Sequence, residues 1–554
     1  MATAGKARLR QRELQPGRGR TGILTRSSTS IRSPLSRIAP RVPTAWLPSP
    51  CPQLAIDLWA SQVMLFAGIS GRSGSGDFCT YPQGIVRFRG MEQTTSDWAR
   101  DEFRHSGIDD ARWRRRLTEM GAQAARRPAG KITEAFAEDA ARQGAYGLLE
   151  SKLVSPEEVG RAVSAASALR SADYPFVFCP VDGTSLTLVD HGSGKDFGPI
   201  GTRGNGARGL KVMNAMVLSP RGVPLGVGAQ EWWTRTQRPR RKHRDQLPPE
   251  RKEISRWLQV MRQMRQVMGT HAPGTRCWFQ LDREGDAWPT ISEADTDGHW
   301  FTIRASHNRR VRLGDDRRTK LRPLLGKQPV LATSTLKVAA GPNRKGRLAT
   351  MAIRACTVTL EFRDKRTGKR FTKTLNVVQT REQGTTPPGE KPIEWTLLTN
   401  HPISTDHDLF HVIFGYSMRW RIEELHRTWK SGACRVEETQ LRSTSAAIKW
   451  AIILSAVAVR IERIKQLSRQ EPLRPATDEF SPLEIRAAAL LRFGKAAKTK
   501  VPEGTTPTLQ EMTLWIAQLG GYTGKSSGGP PGSITIARGL KDIRATVKAL
   551  KALQ

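Results

Sequence analysis

Three acidic residues carry the chemistry most legible in this sequence: Asp182, Asp282 and Glu423. Asp182 closes the apolar run Phe176-Val177-Phe178-Cys179-Pro180-Val181, and Asp282 closes a second, Cys277-Trp278-Phe279-Gln280-Leu281. A strand end holds a side chain rigidly, and adjacent strands would bring the two acids together although 100 positions separate them (282−182). Carboxylates a few ångströms apart repel unless a cation lies between them. Oxygen donors of this kind suit Mg2+ or Mn2+. An Asp after a strand is more often a turn former, so this pair alone does not make a site. Glu423 adds the missing context. At about 100° per residue, Tyr416, Arg419, Glu423, Arg427 and Lys430 share one narrow arc of a helix. Met418, Ile422, Leu425 and Trp429 fall on the opposite side. Glu–Arg pairs four apart also occur on ordinary solvated helices. A single carboxylate among Arg, Lys and a phenol suits a metal ligand beside a phosphate backbone.

Those acids need strands and helices to place them. Apolar alternation predicts strands over Phe176–Val181, Leu210–Leu218, Val223–Trp232, Cys277–Leu281 and Phe301–Arg304, with a turn at Ser219-Pro220-Arg221-Gly222. An amphipathic helix is expected over Glu250–Met268, and helices resume near Asp406. Three strands in a meander, a helix and two further strands make the order of a ribonuclease H-like mixed sheet, an α/β fold. Residues 307–375 interrupt it with nineteen Lys or Arg against four acids, an excess of +15 (19−4), and read as part of a basic, β-rich insertion over about 307–400. The catalytic domain is thus expected over 166–465. It is flanked by N-terminal helices over 91–165, including Asp109–Ala125 and Ile132–Leu149, and by C-terminal helices over 466–554. The cluster Arg112, Arg114, Arg115 and Arg116 reads as a phosphate-contacting face.

Composition narrows the partner. Lys and Arg number 89 against 51 acids, a net charge of +38. Neutralising phosphates releases counterions, so such a chain points to a polyanion. Residues 1–90 hold thirteen Lys or Arg and three acids with many Ser, Pro and Gly; they read as a disordered extension, with translation expected to begin at Met91. The six cysteines lie far apart without a C-x-x-C pair, which fits a reducing cytosol and leaves zinc ribbons and disulfide frameworks unsupported. The apolar run Ala451–Val459 is shorter than the about 20 residues that cross a bilayer, so no membrane partner is expected. The glycine-rich stretch 192–209 lacks P-loop spacing, so no nucleotide cofactor is expected.

The signature Y-x-x-R-x-x-x-E-x-x-x-x-x-x-K, met by Tyr416, Arg419, Glu423 and Lys430, resembles that of the Asp-Asp-Glu insertion-sequence transposases. Val181-Asp182-Gly183-Thr184-Ser185-Leu186 and Asp282-Arg283-Glu284-Gly285-Asp286 are similar to the stretches around that family's first two acids. Further likeness lies in Glu231-Trp232-Trp233, Glu394-Trp395-Thr396-Leu397-Leu398-Thr399, Gln143-Gly144-Ala145-Tyr146 and Leu519-Gly520-Gly521-Tyr522, and spans roughly residues 91–554. The resemblance implies N-terminal helices that recognise transposon ends, a cutting core and C-terminal helices that dimerise. It implies cut-and-paste transposition of double-stranded DNA by a homodimer: nicking, a hairpin intermediate and transfer of 3′-hydroxyl ends into target DNA. Two Mg2+ ions per active site are implied, with Asp182 bridging both and Asp282 and Glu423 each completing one. Tyr416, Arg419, Arg427 and Lys430 would contact the DNA, and Trp395 would stack on a displaced base. A bacterial cytoplasmic setting, on the nucleoid, is implied as well.

Overall fold

The computed structural model describes residues 95–552, except 191–194, 202–205, 236–251, 314–316, 342–343, 364–366, 503 and 526–528. The extension expected over 1–90 lies outside the described residues, as does part of the glycine-rich stretch 192–209. Among the described residues, four helices of two turns or more come first: α1 (Thr95–Phe103), α2 (Ala111–Arg126), α3 (Asp139–Glu150) and α4 (Pro156–Leu169). The single helix expected over Ile132–Leu149 is broken. Ile132–Ala135 makes one turn, Phe136 leaves helical geometry at φ −118°, ψ 98°, and α3 starts only at Asp139. Packing decides this break, because the Phe136 ring lies 5.9 Å from that of Trp450. The start of α4 follows its local signals: Ser155 and Glu158 form a capping box and Pro156 occupies the first turn.

The core strands are β1 (Phe176–Thr187), β2 (Arg208–Leu218), β3 (Pro224–Trp233), β4 (Arg276–Leu281) and β5 (Trp300–Arg304). They lie in the order β3-β2-β1-β4-β5, with β1, β4 and β5 parallel and β2 and β3 antiparallel to their neighbours. Between β2 and β3, Gly222 closes the expected turn at φ 79°, a conformation that costs glycine little, and its N–H donates to Ser219 O at 2.8 Å. Alternation along β1 builds two cores. Val177, Cys179 and Val181 meet Met261, Met264 and Met268 of α5 (Ile254–His271). Phe176 and Phe178 face α6 (Asp406–Met418). Gly415 lets α6 sit close, since a Cβ there would come within 2.5 Å of the Phe178 ring.

The insertion does not stand apart from this sheet. Strand β8 (Glu394–Thr399) pairs with the outer edge of β5, and the long hairpin of β6 (Arg347–Arg363) and β7 (Arg370–Glu382) continues from it. Among the described residues all strands join one sheet of 12. The free edge of β5 would otherwise expose unpaired backbone groups, and β8 satisfies them. The fold is therefore mixed α/β, a ribonuclease H-like core with the insertion extending its sheet and helices at both ends.

Helix α7 (Trp420–Lys430) follows α6 directly, and α8 (Thr444–Gln470) runs through the molecule. The apolar run Ala451–Val459 belongs to this 27-residue helix, which by length and composition could cross a membrane. Its environment is that of a core helix, with 83% of its most apolar window buried inside the protein. Trp450 Nε1 donates to Gly130 O and Trp429 Nε1 to Ala451 O, both at 2.9 Å, so α8 ties the N-terminal helices to α7. The C-terminal helices α9 (Pro482–Phe493), α10 (Leu509–Leu519) and α11 (Ser533–Ala552) close over a core of Phe480, Met512, Ile516, Ile536 and Leu540.

At the sheet end opposite the acids, His401 stacks on Trp278 (4.1 Å, 4°) and His407 lies 4.7 Å from His411. Burial pulls the His411 imidazole down from its ordinary 6.5 to about 4, with His407 and His401 adding to the effect. His401 is lowered too, again chiefly by burial. The folded state thus prefers these rings neutral, and the unfolded chain takes up protons first as the pH falls. For His411 this stabilisation is complete above about pH 6.5 and is lost between there and about pH 4. For His411 alone the loss amounts to about 3 kcal/mol. Denaturant midpoints measured from pH 7.5 to 4.5 should fall, and His411→Phe should flatten the slope. An unchanged slope in that variant would exclude His411 as its source.

Candidate functional site

The two aspartates are held differently. The parallel pairing of β1 with β4 ends at Val181 and Leu281, and Asp182 and Asp282 are the next residues along the chain. Strand β1 does not stop there, contrary to the reading of Asp182 as a strand end. It stays paired with β2 as far as Thr187, with Asp182 opposite Asn214. Asp182 is thus a mid-strand residue at the point where β1 parts from β4. Asp282 does lie past its strand and caps the short turn Arg283–Gly285, Oδ1 accepting from Glu284 N at 2.7 Å.

The segment expected as one helix is divided at Arg419 between α6 and α7. Arg419 keeps helical dihedrals (φ −50°, ψ −33°), and bonds from Arg419 N to Tyr416 O and from Ile422 N to Arg419 O tighten the turn. The polar stripe survives, with Met418, Ile422, Leu425 and Trp429 buried behind it. Arg419 Nη1 lies 3.3 Å from Asp182 Oδ2 and 3.4 Å from Glu423 Oε1, bridging the acids. Lys430 Nζ reaches Thr184 Oγ1 at 3.4 Å and Glu437 Oε1 at 3.6 Å, so it too faces β1. Arg427 is exposed on the same helix. Tyr416 is buried against the half-buried Trp395, ring centroids 5.1 Å apart at 75°. Both line a cavity of about 680 Å³ together with Arg283, Arg304, Arg347 and Trp420.

Electrostatics single out Asp182. Burial pushes its carboxyl well above the usual carboxylate range, and Glu423 and Asp282 push further, against the opposing pull of Arg419. Such crowding of like charge disfavours ionisation unless a cation shares the site. The donors present therefore fit a divalent metal: oxygens of Asp182 and Glu423 lie with a ring nitrogen of His426 within 4.8 Å of one another. The carboxylate of Asp282 is not part of that close group, although its charge is felt at Asp182 and at Tyr416.

Sequence reasoning passed over His426. Three positions after Glu423, it shares that residue's helix face, a spacing that could have drawn notice. Arg283, Arg304 and Trp420 were also missed, since only the fold brings them beside Tyr416. Asp286, by contrast, is structural: it accepts from Ser306 N and pairs with Arg309, both at 2.6 Å. Cys179 and Cys277 are buried core thiols. In α2, Arg114 donates to the carbonyls of Ile108 and Asp109 at 2.6 Å, while Arg112 remains 84% exposed in its pair with Asp110. Of that basic cluster, Arg114 is tethered to the preceding loop although it stays exposed.

Comparison with known families reaches the two ends of the chain. Residues 95–154 match the family described as transposase DNA-binding, and residues 456–552 match the transposase Tn5 dimerisation domain. These two segments flank the acid cluster on either side. Together they support a Tn5-type transposase, a DNA-binding and dimer-forming protein of DNA transposition.

Proposed function

We propose that this chain is a cut-and-paste DNA transposase whose active site is Asp182, Asp282 and Glu423. The observation that carries this reading is the bridge from Arg419 to both Asp182 and Glu423, at the point where β1 parts from β4. It sets acids that suit cations beside groups that suit phosphate. In this reading the three acids hold two Mg2+ or Mn2+ ions. Divalent cations in such sites supply nucleophile activation and offset charge on the leaving oxygen. Arg419 leaves its acid partners for the scissile phosphate, and Lys430 and Arg427 hold the neighbouring backbone. Tyr416, fixed by burial, braces Trp395 on the cavity wall.

The reaction assigned here is a nick at each transposon end, attack of the freed 3′-hydroxyl on the opposite strand, hairpin opening, and transfer into target DNA. A homodimer performs it on the bacterial nucleoid in the cytoplasm, without a nucleotide cofactor. Purified protein incubated with Mg2+ and DNA bearing the element's ends tests this directly. Integration products support the reading. Nicks alone would indicate a nuclease without strand transfer, and retarded but intact DNA a binding protein without catalysis.

Hairpin formation needs a sharp kink, eased when one base leaves the stack. Trp395, half-buried on the cavity wall, offers its ring to that base. Aromatic stacking is worth about 1–3 kcal/mol, so Trp395→Ala should lower hairpin yield about 5- to 150-fold while nicking persists. Equal hairpin yields on a gel would count against the stacking role.

A further inference from the structure

A polar row crosses the sheet beneath α7. Gln230 on β3 pairs with Asn214 on β2, Asn214 pairs with Asp182 on β1, and Asp282 lies just past the end of β4. The side chains of Gln230 and Asn214 form a relay that ends on His426. Gln230 Nε2 donates to Asn214 Oδ1 at 2.8 Å, and Asn214 Nδ2 meets His426 Nε2 at 2.9 Å. Asn214 is 1% and His426 7% exposed, so water does not substitute for these bonds. Among the described residues, His426 is the only histidine in a close group with the acids.

We infer that His426 is a nitrogen ligand in the metal site formed with Asp182 and Glu423, and that Asn214 and Gln230 select its tautomer. The inference rests on the metal-dependent reading above and adds to it the identity of a donor. A ligating histidine typically has its other ring nitrogen held by a carbonyl or carboxylate. The relay can provide that carbonyl. Turning both amides over presents Asn214 Oδ1 to an Nε2–H and Asn214 Nδ2 to Gln230 Oε1, with every bond kept. Nδ1 is then unprotonated, with its lone pair free for a cation. An apolar neighbour could not hold a buried ring in either state, and a charged one would fix a single state. One imidazole added to two carboxylates also shifts the site's preference from Mg2+ toward transition metals.

The test binds Mn2+ to the full chain without DNA and reads the ion by pulsed electron paramagnetic resonance. A 14N coupling to bound Mn2+ is expected, replaced by a 15N coupling when the protein is made with 15N-imidazole histidine. This readout needs no substitution and so does not depend on a variant folding. His426→Gln should remove the coupling and weaken Mn2+ binding by about 100-fold, with a smaller loss for Mg2+. Asn214→Leu should keep the coupling and cost about 10- to 100-fold, the scale of losing a partner behind a ligand. Bound Mn2+ without a histidine coupling overturns this inference and leaves the acidic site standing. Failure of wild-type protein to bind Mn2+ overturns the metal-site reading itself.

Discussion

Replacing Glu423 with alanine is expected to abolish strand cleavage while leaving end binding and folding intact. The side chain is 37% exposed at the start of α7 and pairs weakly with Arg419 at 3.4 Å. Surface changes of this kind usually alter stability by less than about 0.5 kcal/mol. Its removal also relieves like-charge pressure on Asp182, whose carboxyl Glu423 helps to push upward. Stability is therefore preserved or slightly improved. Cleavage should fall by on the order of 10³-fold or more, the scale of losing one group that stabilises developing charge. Gel-shift and nicking assays on the same DNA separate the two effects. Undiminished nicking would remove Glu423 from the site.

The next residue should behave in the opposite way. Glu424→Ala is expected to destabilise the fold by about 3–5 kcal/mol, the cost of breaking a buried ion pair from one side. Glu424 is 4% exposed and accepts from Arg421 and Lys465, each at 2.8 Å, and from Gln466 at 3.3 Å. Burial opposes its charge, but Lys465 and Arg421 outweigh that and hold its carboxyl well below the usual range. Lys465 also pairs with Glu462, which accepts from Thr428 on α7 and Ser533 on α11. Alanine would leave Arg421 and Lys465 with too little negative charge in a dry interior. Chemical denaturation of the two single variants distinguishes them: the Glu424 variant should shift the midpoint far and the Glu423 variant hardly at all. A small shift for both would mean that water reaches the ion cluster. Two adjacent glutamates of equal local character thus separate into a site residue and a structural one.

That contrast marks the boundary of what a linear reading reaches. Strands β2 to β5 begin and end within two residues of their expected positions, because alternation reports which face of a strand is buried. The stripe of Tyr416, Arg419, Glu423 and Lys430 was legible for the same reason, helical spacing being a property of neighbours in sequence. So was the turn at Gly222. Each of these signals decays within a few residues.

Properties set by distant partners were not legible. The extension of β1 beyond Asp182 depends on β2, and the break at Phe136 depends on Trp450, more than 300 positions away (450−136). The joining of the insertion to the sheet depends on the bare edge of β5. His426 gains meaning from Asn214, 212 positions earlier. Residue type and local spacing were enough to propose the chemistry, because ligand character and periodicity are carried by the chain's own order. Which carboxylates actually crowd, which glutamate is buried and which histidine faces them follow from pairing register and helix docking. Those are long-range contacts, and no local pattern encodes them.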